Sequence, residues 1–143
     1  MSDKQIYENG HIYDPTVNSI AEGVLNGTVD GIVVRQCVAS GVNSHAEGAQ
    51  TEASGNYSHA EGIETKALDG GAHAEGVFTE SSGSYTMDSD HPKYGHSGAH
   101  AEGYGTVASA FTAHAEGDTT KASGYASHAE GKETEASGHN SHA

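Results

Sequence analysis

The chain returns again and again to one six-residue motif, first seen in full as Asn43-Ser44-His45-Ala46-Glu47-Gly48. Successive histidines of this motif are 14 residues apart, except for one step of 27 between His73 and His100. The histidines of the repeat are His45, His59, His73, His100, His114, His128 and His142, and Ile20 holds the same position in an earlier copy. A short fixed period is typical of a solenoid, in which each repeat forms one coil and packs only on its neighbours.

Each repeat contains two runs of five residues separated by two-residue links, as in 51–55 followed by 58–62. Five residues that alternate in size and polarity suit a short strand, and the glycines mark the corners. The frequent Gly, Ser and Thr oppose a helix. We therefore predict an all-β fold, a parallel β-roll (β-solenoid) of 14-residue coils that covers residues 18–143.

Strand alternation divides the side chains of a coil between two faces. In Ser-His-Ala-Glu-Gly the small residues share one side, and His and Glu share the other. In Thr-x-Ala-Ser-Gly the Thr, Ala and Gly share one side, so we expect a narrow core of small residues, in keeping with a chain that has no Trp and two Phe. The x positions should face solvent, and they nearly alternate in charge: Glu52, Lys66, Glu80, Val107, Lys121 and Glu135.

Three segments depart from the repeat. Residues 1–17 alternate apolar and polar residues around Asn9-Gly10, which predicts a small hairpin that serves as an N-terminal cap or linker. Insertions near 24–36 and 84–98 replace two of the short links. Because insertions in repeat proteins form loops, which often carry recognition residues, the second is a candidate ligand loop. Its candidate residues are Tyr85, His91, Tyr94 and His96.

The motif at 43–48, together with Ala53-Ser54-Gly55, resembles the head repeats of trimeric autotransporter adhesins. That family forms a left-handed parallel β-roll with a repeat similar to Asn-Ser-Val-Ala-Ile-Gly. The His-Ala-Glu-Gly variant also resembles repeats in tail-spike and tail-fibre proteins of phages and prophages. The resemblance implies a left-handed homotrimer at a cell surface or on a virion tail, outside the cell. It also implies an adhesive or structural segment that presents or spaces a region binding a glycan or protein receptor on a host surface.

The chain departs from the adhesin repeat at the two apolar positions, which here are His and Glu. The resemblance implies that these residues face the neighbouring subunits, as a polar seam at the trimer interface. Buried carboxylates are costly unless paired, so we predict hydrogen bonds between Glu and His, within or between chains. The seam residues are His45, Glu47, His59, Glu61, His73, Glu75, His100, Glu102, His114, Glu116, His128, Glu130 and His142.

Composition narrows the function. A net charge of −14 argues against nucleic acid as a partner, and no apolar run is long enough for membrane insertion by this segment. No nucleophile and base stand apart from the repeat, so we expect no enzyme and no cofactor, and we interpret the identical His positions as architecture rather than as metal sites. Two alternatives stay open: a His-lined solenoid that binds Zn²⁺ or Ni²⁺, and an ice-binding solenoid based on the threonine ladder.

Overall fold

The structure is a computed structural model that describes residues 37–83 and 98–143 in full. It also describes the backbone of the strands at 5–6, 12–14, 19–23, 27–29 and 32–34, with the side chains of Ile20 and Ala21.

The described residues form strands and no helix. The strands are β1 (Gln5–Ile6), β2 (Ile12–Asp14), β3 (Ser19–Gly23), β4 (Gly27–Val29), β5 (Ile32–Val34), β6 (Val38–Ala39), β7 (His45–Ala49), β8 (Glu52–Ala53), β9 (His59–Ile63), β10 (Lys66–Ala67), β11 (His73–Val77), β12 (Glu80–Ser81), β13 (His100–Tyr104), β14 (Val107–Ala108), β15 (His114–Asp118), β16 (Lys121–Ala122), β17 (His128–Lys132) and β18 (Glu135–Ala136).

Each repeat contributes one strand to each of two parallel sheets. The long strands β3, β7, β9, β11, β13, β15 and β17 lie side by side in one sheet, and the two-residue strands from β6 to β18 form the other. Equivalent residues pair throughout, as His59 does with His73. The pairing of β11 with β13 keeps this register across the 27-residue step, so the insertion near 84–98 leaves the ladder intact. The predicted all-β parallel solenoid of about 14-residue coils is confirmed.

Antiparallel pairs are confined to the N-terminal part of the described chain. Strand β1 pairs with β2, with Ile6 opposite Ile12, and β2 continues the long-strand sheet by pairing with β3. Within the first insertion, β4 and β5 form a separate two-stranded sheet in which Thr28 lies opposite Val33. The solenoid therefore begins with a hairpin on its first coil.

The coil differs from the prediction in its second half. The long strand of the coil runs from the histidine to the first link residue, as in His59–Ile63, which is one position later than expected. In the Thr-x-Ala-Ser-Gly run only two residues form a strand, as in Glu52–Ala53. The backbone N–H groups of Ser54 and Gly55 both donate to the carbonyl of Ala67, so one acceptor serves two residues and the chain turns there. The second run is thus half strand and half corner.

The core of the solenoid consists of small residues, as the alternation predicted. In the coil around Ala60, the Ser58, Ala60 and Thr65 side chains are buried, while His59 is half-buried and Glu61 exposed. Cys37 occupies the threonine position of an earlier coil, is buried, and its thiol donates to the carbonyl oxygen of Gly48 at 3.0 Å. The buried threonines are Thr51, Thr65, Thr79, Thr106 and Thr120.

Replacing Thr65 with valine is expected to raise the free energy of unfolding by about 1 kcal/mol. The hydroxyl is fully buried and forms no hydrogen bond with any residue that the structure describes, so its removal relieves a desolvation cost. Urea denaturation followed by circular dichroism measures the change. The matched control is Thr134→Val, whose hydroxyl donates to the carbonyl of Glu130 at 2.8 Å and whose loss should be destabilising. If both variants lose stability equally, a bound water satisfies Thr65 in solution.

Candidate functional site

The register of the long strands places each repeat histidine and glutamate directly above the same residue of the next coil. His59, for example, pairs with His45 on one side and with His73 on the other. Both side chains point away from the core, because the residue before the histidine and the alanine after it fill the core. We name this surface the His/Glu face. Its members are His45, His59, His73, His100, His114, His128, His142, Glu47, Glu61, Glu75, Glu102, Glu116 and Glu130.

The imidazoles of the His/Glu face form a continuous stack. Neighbouring ring centroids lie 4.7 to 5.0 Å apart, with interplanar angles of 8° to 23°. This spacing is that of adjacent strands, so the backbone ladder sets it. The His59, His73, His100, His114 and His128 side chains keep exposures of 35 to 39%, because stacking covers their ring faces and leaves an outer edge accessible.

The carboxylates lie beside the stack, at distances slightly too long for hydrogen bonds. Within a coil, His Nε2 and Glu Oε2 are 3.8 to 4.0 Å apart. Glu116 and Glu130 also reach the following coil. Glu116 Oε1 lies 3.8 Å from His128 Nε2, and Glu130 Oε1 lies 3.7 Å from His142 Nε2. Each of these two carboxylates therefore spans a pair of imidazoles.

The predicted Glu–His hydrogen bonds do not form at these distances within one chain, since such bonds are about 2.7 to 3.2 Å long. The Nε2 atoms of five histidines are covered, yet form no hydrogen bond with any described residue. These five are His59, His73, His100, His114 and His128. Pairing between chains stays a prediction, as does the position of the His/Glu face at a trimer interface.

Burial and stacking act on the proton affinity of the imidazoles. Burial lowers the pKa of His59 below its usual value, and the neighbouring His73 and His45 lower it further, against the opposing effect of Glu61 and Glu47. The pKa of His100 is lowered in the same way, by burial first and then by His73 and His114, with Glu102 and Glu75 opposing. A charged ring inside the stack would face like charges above and below.

We expect the metal-free chain to lose stability as the pH falls from 7.5 to 5. The pKa values of His59 and His100 are lower in the folded than in the unfolded chain, so the unfolded chain binds protons first as the pH drops through about 6.5. Urea denaturation across this range in EDTA measures the effect, and a His59→Gln/His100→Gln variant should show a shallower dependence. An increase in stability on acidification would mean instead that the carboxylates dominate the proton affinity.

A second charged ladder runs along the short-strand sheet, at the solvent-facing x positions. Lys66 pairs with Glu52 and with Glu80, and Lys121 pairs with Glu135, where Nζ and Oε1 lie 3.6 Å apart. Opposite charges one above the other favour this register, although each exposed pair contributes only a few tenths of a kcal/mol. The predicted outward x ladder is confirmed.

Rows of aromatic side chains at the two corners of the coil were not predicted. At one corner Phe78 and Tyr104 meet edge to face, with ring centroids 5.8 Å apart. At the other corner Phe111, Tyr125 and His139 form a stack with centroid distances of 5.3 and 5.8 Å. The 14-residue spacing of these last three residues is a signal in the sequence that predicts their stacking.

The remaining predicted sites have two different outcomes. The candidate ligand residues Tyr85, His91, Tyr94 and His96 lie outside the described residues. The threonine ladder proposed for ice binding is inside the solenoid, and Thr51 and Thr65 are no more than 1% exposed. These buried hydroxyls offer no flat surface to ice.

Comparisons with known proteins leave the family open. No protein-family profile matches the chain, and no curated protein is significantly similar to it. Among the residues that the structure describes, no helix is long and apolar enough to cross a membrane.

Proposed function

We propose that the chain is a non-enzymatic rod segment in which three copies form a left-handed β-roll. It belongs to an extracellular adhesin or to a phage tail fibre, where it spaces or presents a region that binds a host-surface glycan or protein. The observation that carries this proposal is the His/Glu face, which is continuous and in register from His45 to His142. The three-chain arrangement and the handedness come from the resemblance of the repeat to adhesin heads.

The composition of the core supports association. The largest fully buried side chains are threonine and serine, and the apolar core is almost entirely alanine. Such side chains bury little apolar surface per residue, so a coil obtains less hydrophobic stabilisation than in a protein with a core of large residues. A second surface that becomes buried on assembly adds to what the coil stack provides.

The electrostatics of the His/Glu face point the same way. Glutamates directly above one another repel, since like charges on neighbouring strands are destabilising. Glu102, Glu116 and Glu130 line an open groove of about 570 Å³ together with the glycine that follows each of them. An imidazole from another copy placed in this groove donates a hydrogen bond to the carboxylates and offsets their repulsion.

The mass of the assembly in solution tests this proposal. Light scattering should give three times the 14.6 kDa of the chain, and electron micrographs should show short rods. In Glu75→Lys the new ammonium group lies between Glu61 and Glu102 and does not destabilise the chain, whereas three copies of it at one level of the assembly should weaken the trimer. The matched control is Glu80→Lys in the same coil on the other sheet.

A monomer that melts cooperatively would exclude the three-chain arrangement. If Glu80→Lys dissociates the trimer and Glu75→Lys does not, the interface lies on the short-strand sheet. Deleting residues 85–97 shortens the step from His73 to His100 to the regular 14 residues. Binding of this variant to host cells separates a segment that presents a receptor-binding loop from one that only spaces another domain.

A further inference from the structure

We propose that the His/Glu face binds a divalent transition-metal ion of the Zn²⁺ or Ni²⁺ type between two coils of one chain. The ligands of the first site are His128, Glu130 and His142. One nitrogen or carboxylate oxygen from each of these residues lies within 4.8 Å of the other two. This goes beyond a spacer or adhesive role, and it does not require three chains.

The separation of the ligand atoms is the first argument. Glu130 Oε1 and His142 Nε2 are 3.7 Å apart, and Glu130 Oε2 and His128 Nε2 are 4.0 Å apart. Two ligands of a tetrahedral zinc ion, each about 2.1 Å from the metal, are about 3.4 Å from each other. A hydrogen bond needs about 2.8 Å. The observed gap is therefore closer to that of two atoms with an ion between them than to that of a donor and its acceptor.

The arrangement of the donors is the second argument. Glu130 presents one oxygen to the imidazole of its own coil and the other to that of the next coil. Of the stacked imidazole pairs of the His/Glu face, His128 and His142 have the largest interplanar angle, 23°. Parallel rings cannot direct two lone pairs at one point, so a pair already tilted needs the smallest rotation to chelate. His142 is 62% exposed and has room to make it.

The orphaned imidazole nitrogens are the third argument. The Nε2 atom of His128 is covered but forms no hydrogen bond with any residue in the described ranges. A covered nitrogen without a partner loses its hydrogen bonds to water, and no protein hydrogen bond compensates for this loss. A metal ion supplies that partner, and its positive charge also offsets the repulsion within the glutamate ladder.

The chemistry of the donor set selects the ion. Neutral imidazole suits zinc, nickel and copper, whereas calcium and magnesium prefer sites made of oxygen ligands. Two imidazoles and one carboxylate also leave a coordination position open, as in zinc sites that keep a water ligand. We therefore expect Zn²⁺ and Ni²⁺ to bind and Ca²⁺ and Mg²⁺ to bind far more weakly.

The repeat limits the number of ions. Glu116 spans His114 and His128 as Glu130 spans His128 and His142, so His128 is shared by two potential sites. One Nε2 atom ligates one ion, so a filled site excludes the sites directly above and below it. The seven stacked histidines therefore provide at most three sites per chain, in alternate gaps of the ladder.

The experiment is a calorimetric titration of the full chain, prepared without a polyhistidine tag and freed of metal by EDTA, with Zn²⁺ and separately with Ni²⁺. Binding should saturate at one to three ions per chain. Glu130→Gln and His142→Gln should each weaken the tightest site by about 10- to 100-fold. The number of ions at saturation can stay at three, because the other six histidines of the stack still form three pairs. The controls are His139→Gln, which changes a histidine outside the His/Glu face, and Glu135→Gln on the other sheet. Circular dichroism confirms that each variant is folded.

The two proposals fail separately. Binding by a chain whose mass is that of a monomer would exclude the trimer and leave the metal site standing. One ion per three chains at each level would instead place the metal between copies, with one imidazole from each, and would overturn the site within one chain. No binding, or an equal affinity of the tightest site in His142→Gln and His139→Gln, would also overturn it.

Discussion

Replacing Gly76 with alanine is expected to destabilise the solenoid by about 3 kcal/mol or more, enough to unfold the coils on either side. Gly76 ends the His-Ala-Glu-Gly motif of its coil with φ of +114°, a conformation that residues with a side chain rarely adopt. A Cβ atom there would also overlap the carbonyl oxygen of Gly103 in the next coil. Both problems are relieved only by moving backbone, which breaks the register of two strands.

The same position is glycine in every described coil from Gly48 to Gly131, and from Gly48 to Gly117 its φ lies between +112° and +121°. These glycines form a column in which each backbone approaches the next too closely for any side chain. Because these positions carry no side chain, neighbouring coils can come as close as paired strands require, next to the bulky residues of the His/Glu face. A substitution in one coil therefore also displaces the backbone of the next coil.

The matched control is Gly71→Asn, five residues earlier in the chain. Gly71 also has positive φ, +72°, but a Cβ atom there meets only ordinary contacts, at 3.8 Å and beyond. The equivalent corner carries Asn43 and Asn140, both with φ of +54°. We expect a change within about 0.5 kcal/mol in urea denaturation. If Gly76→Ala melts like Gly71→Asn, close packing of this glycine column does not hold the coils in register.

The ladder and its faces follow from the sequence for simple reasons. A period of 14 places equivalent residues above one another, so a single alignment of repeats predicts which residues stack. Because side chains alternate along a strand, burial of Ala60 implies that His59 and Glu61 face outward, and the same logic directed Thr65 into the core. The 14-residue repetition of the sequence thus predicted most of the fold.

The corners could not be predicted in the same way. Left-handed backbone is expected at glycine or asparagine, yet it occurs here at Tyr57, Phe78 and Ala126, with φ between 50° and 60°. These residues are held there by the ladder: the N–H of Tyr57 donates to the carbonyl of Val42 and that of Phe78 to Ile63, each in the preceding coil. Tertiary hydrogen bonds override the local preference, and no local sequence signal reports them.

The chemistry of the His/Glu face depends on differences of less than 1 Å. The sequence predicts that His128 and Glu130 share a surface, but not that their reacting atoms stop at 4.0 Å instead of forming a hydrogen bond. The tilt of one ring pair relative to the others is equally invisible, because the repeat presents all pairs as identical. Whether two such atoms form a hydrogen bond or are spaced to hold a metal ion depends on a distance that only the structure gives.

Deleting residues 114–127 is expected to leave a folded solenoid that is one coil shorter. The deletion joins Ala113 to His128 and so recreates the natural junction between Ala113 and His114. Strand β17 then pairs with β13, which places His128 over His100 and preserves the His/Glu face and the core. The spectrum of β-structure should be retained, and the rod should shorten by about 4.8 Å.

Deleting only residues 114–120 is expected to unfold the chain from that point onward. Half a coil removes a long strand and leaves a short one, so the strands that follow exchange sheets. Lys121 and Ala122 would lie where His114 and Ala115 pair with β13, and the His128 strand would fall on the short-strand sheet, out of line with His100. Circular dichroism, protease resistance and small-angle scattering compare the two deletions. If the 7-residue deletion folds as well as the 14-residue one, the strands re-register independently and the coil is not the unit of folding. If only the 14-residue deletion folds, stability depends on whole coils, and the number of coils is free to set the length of the rod.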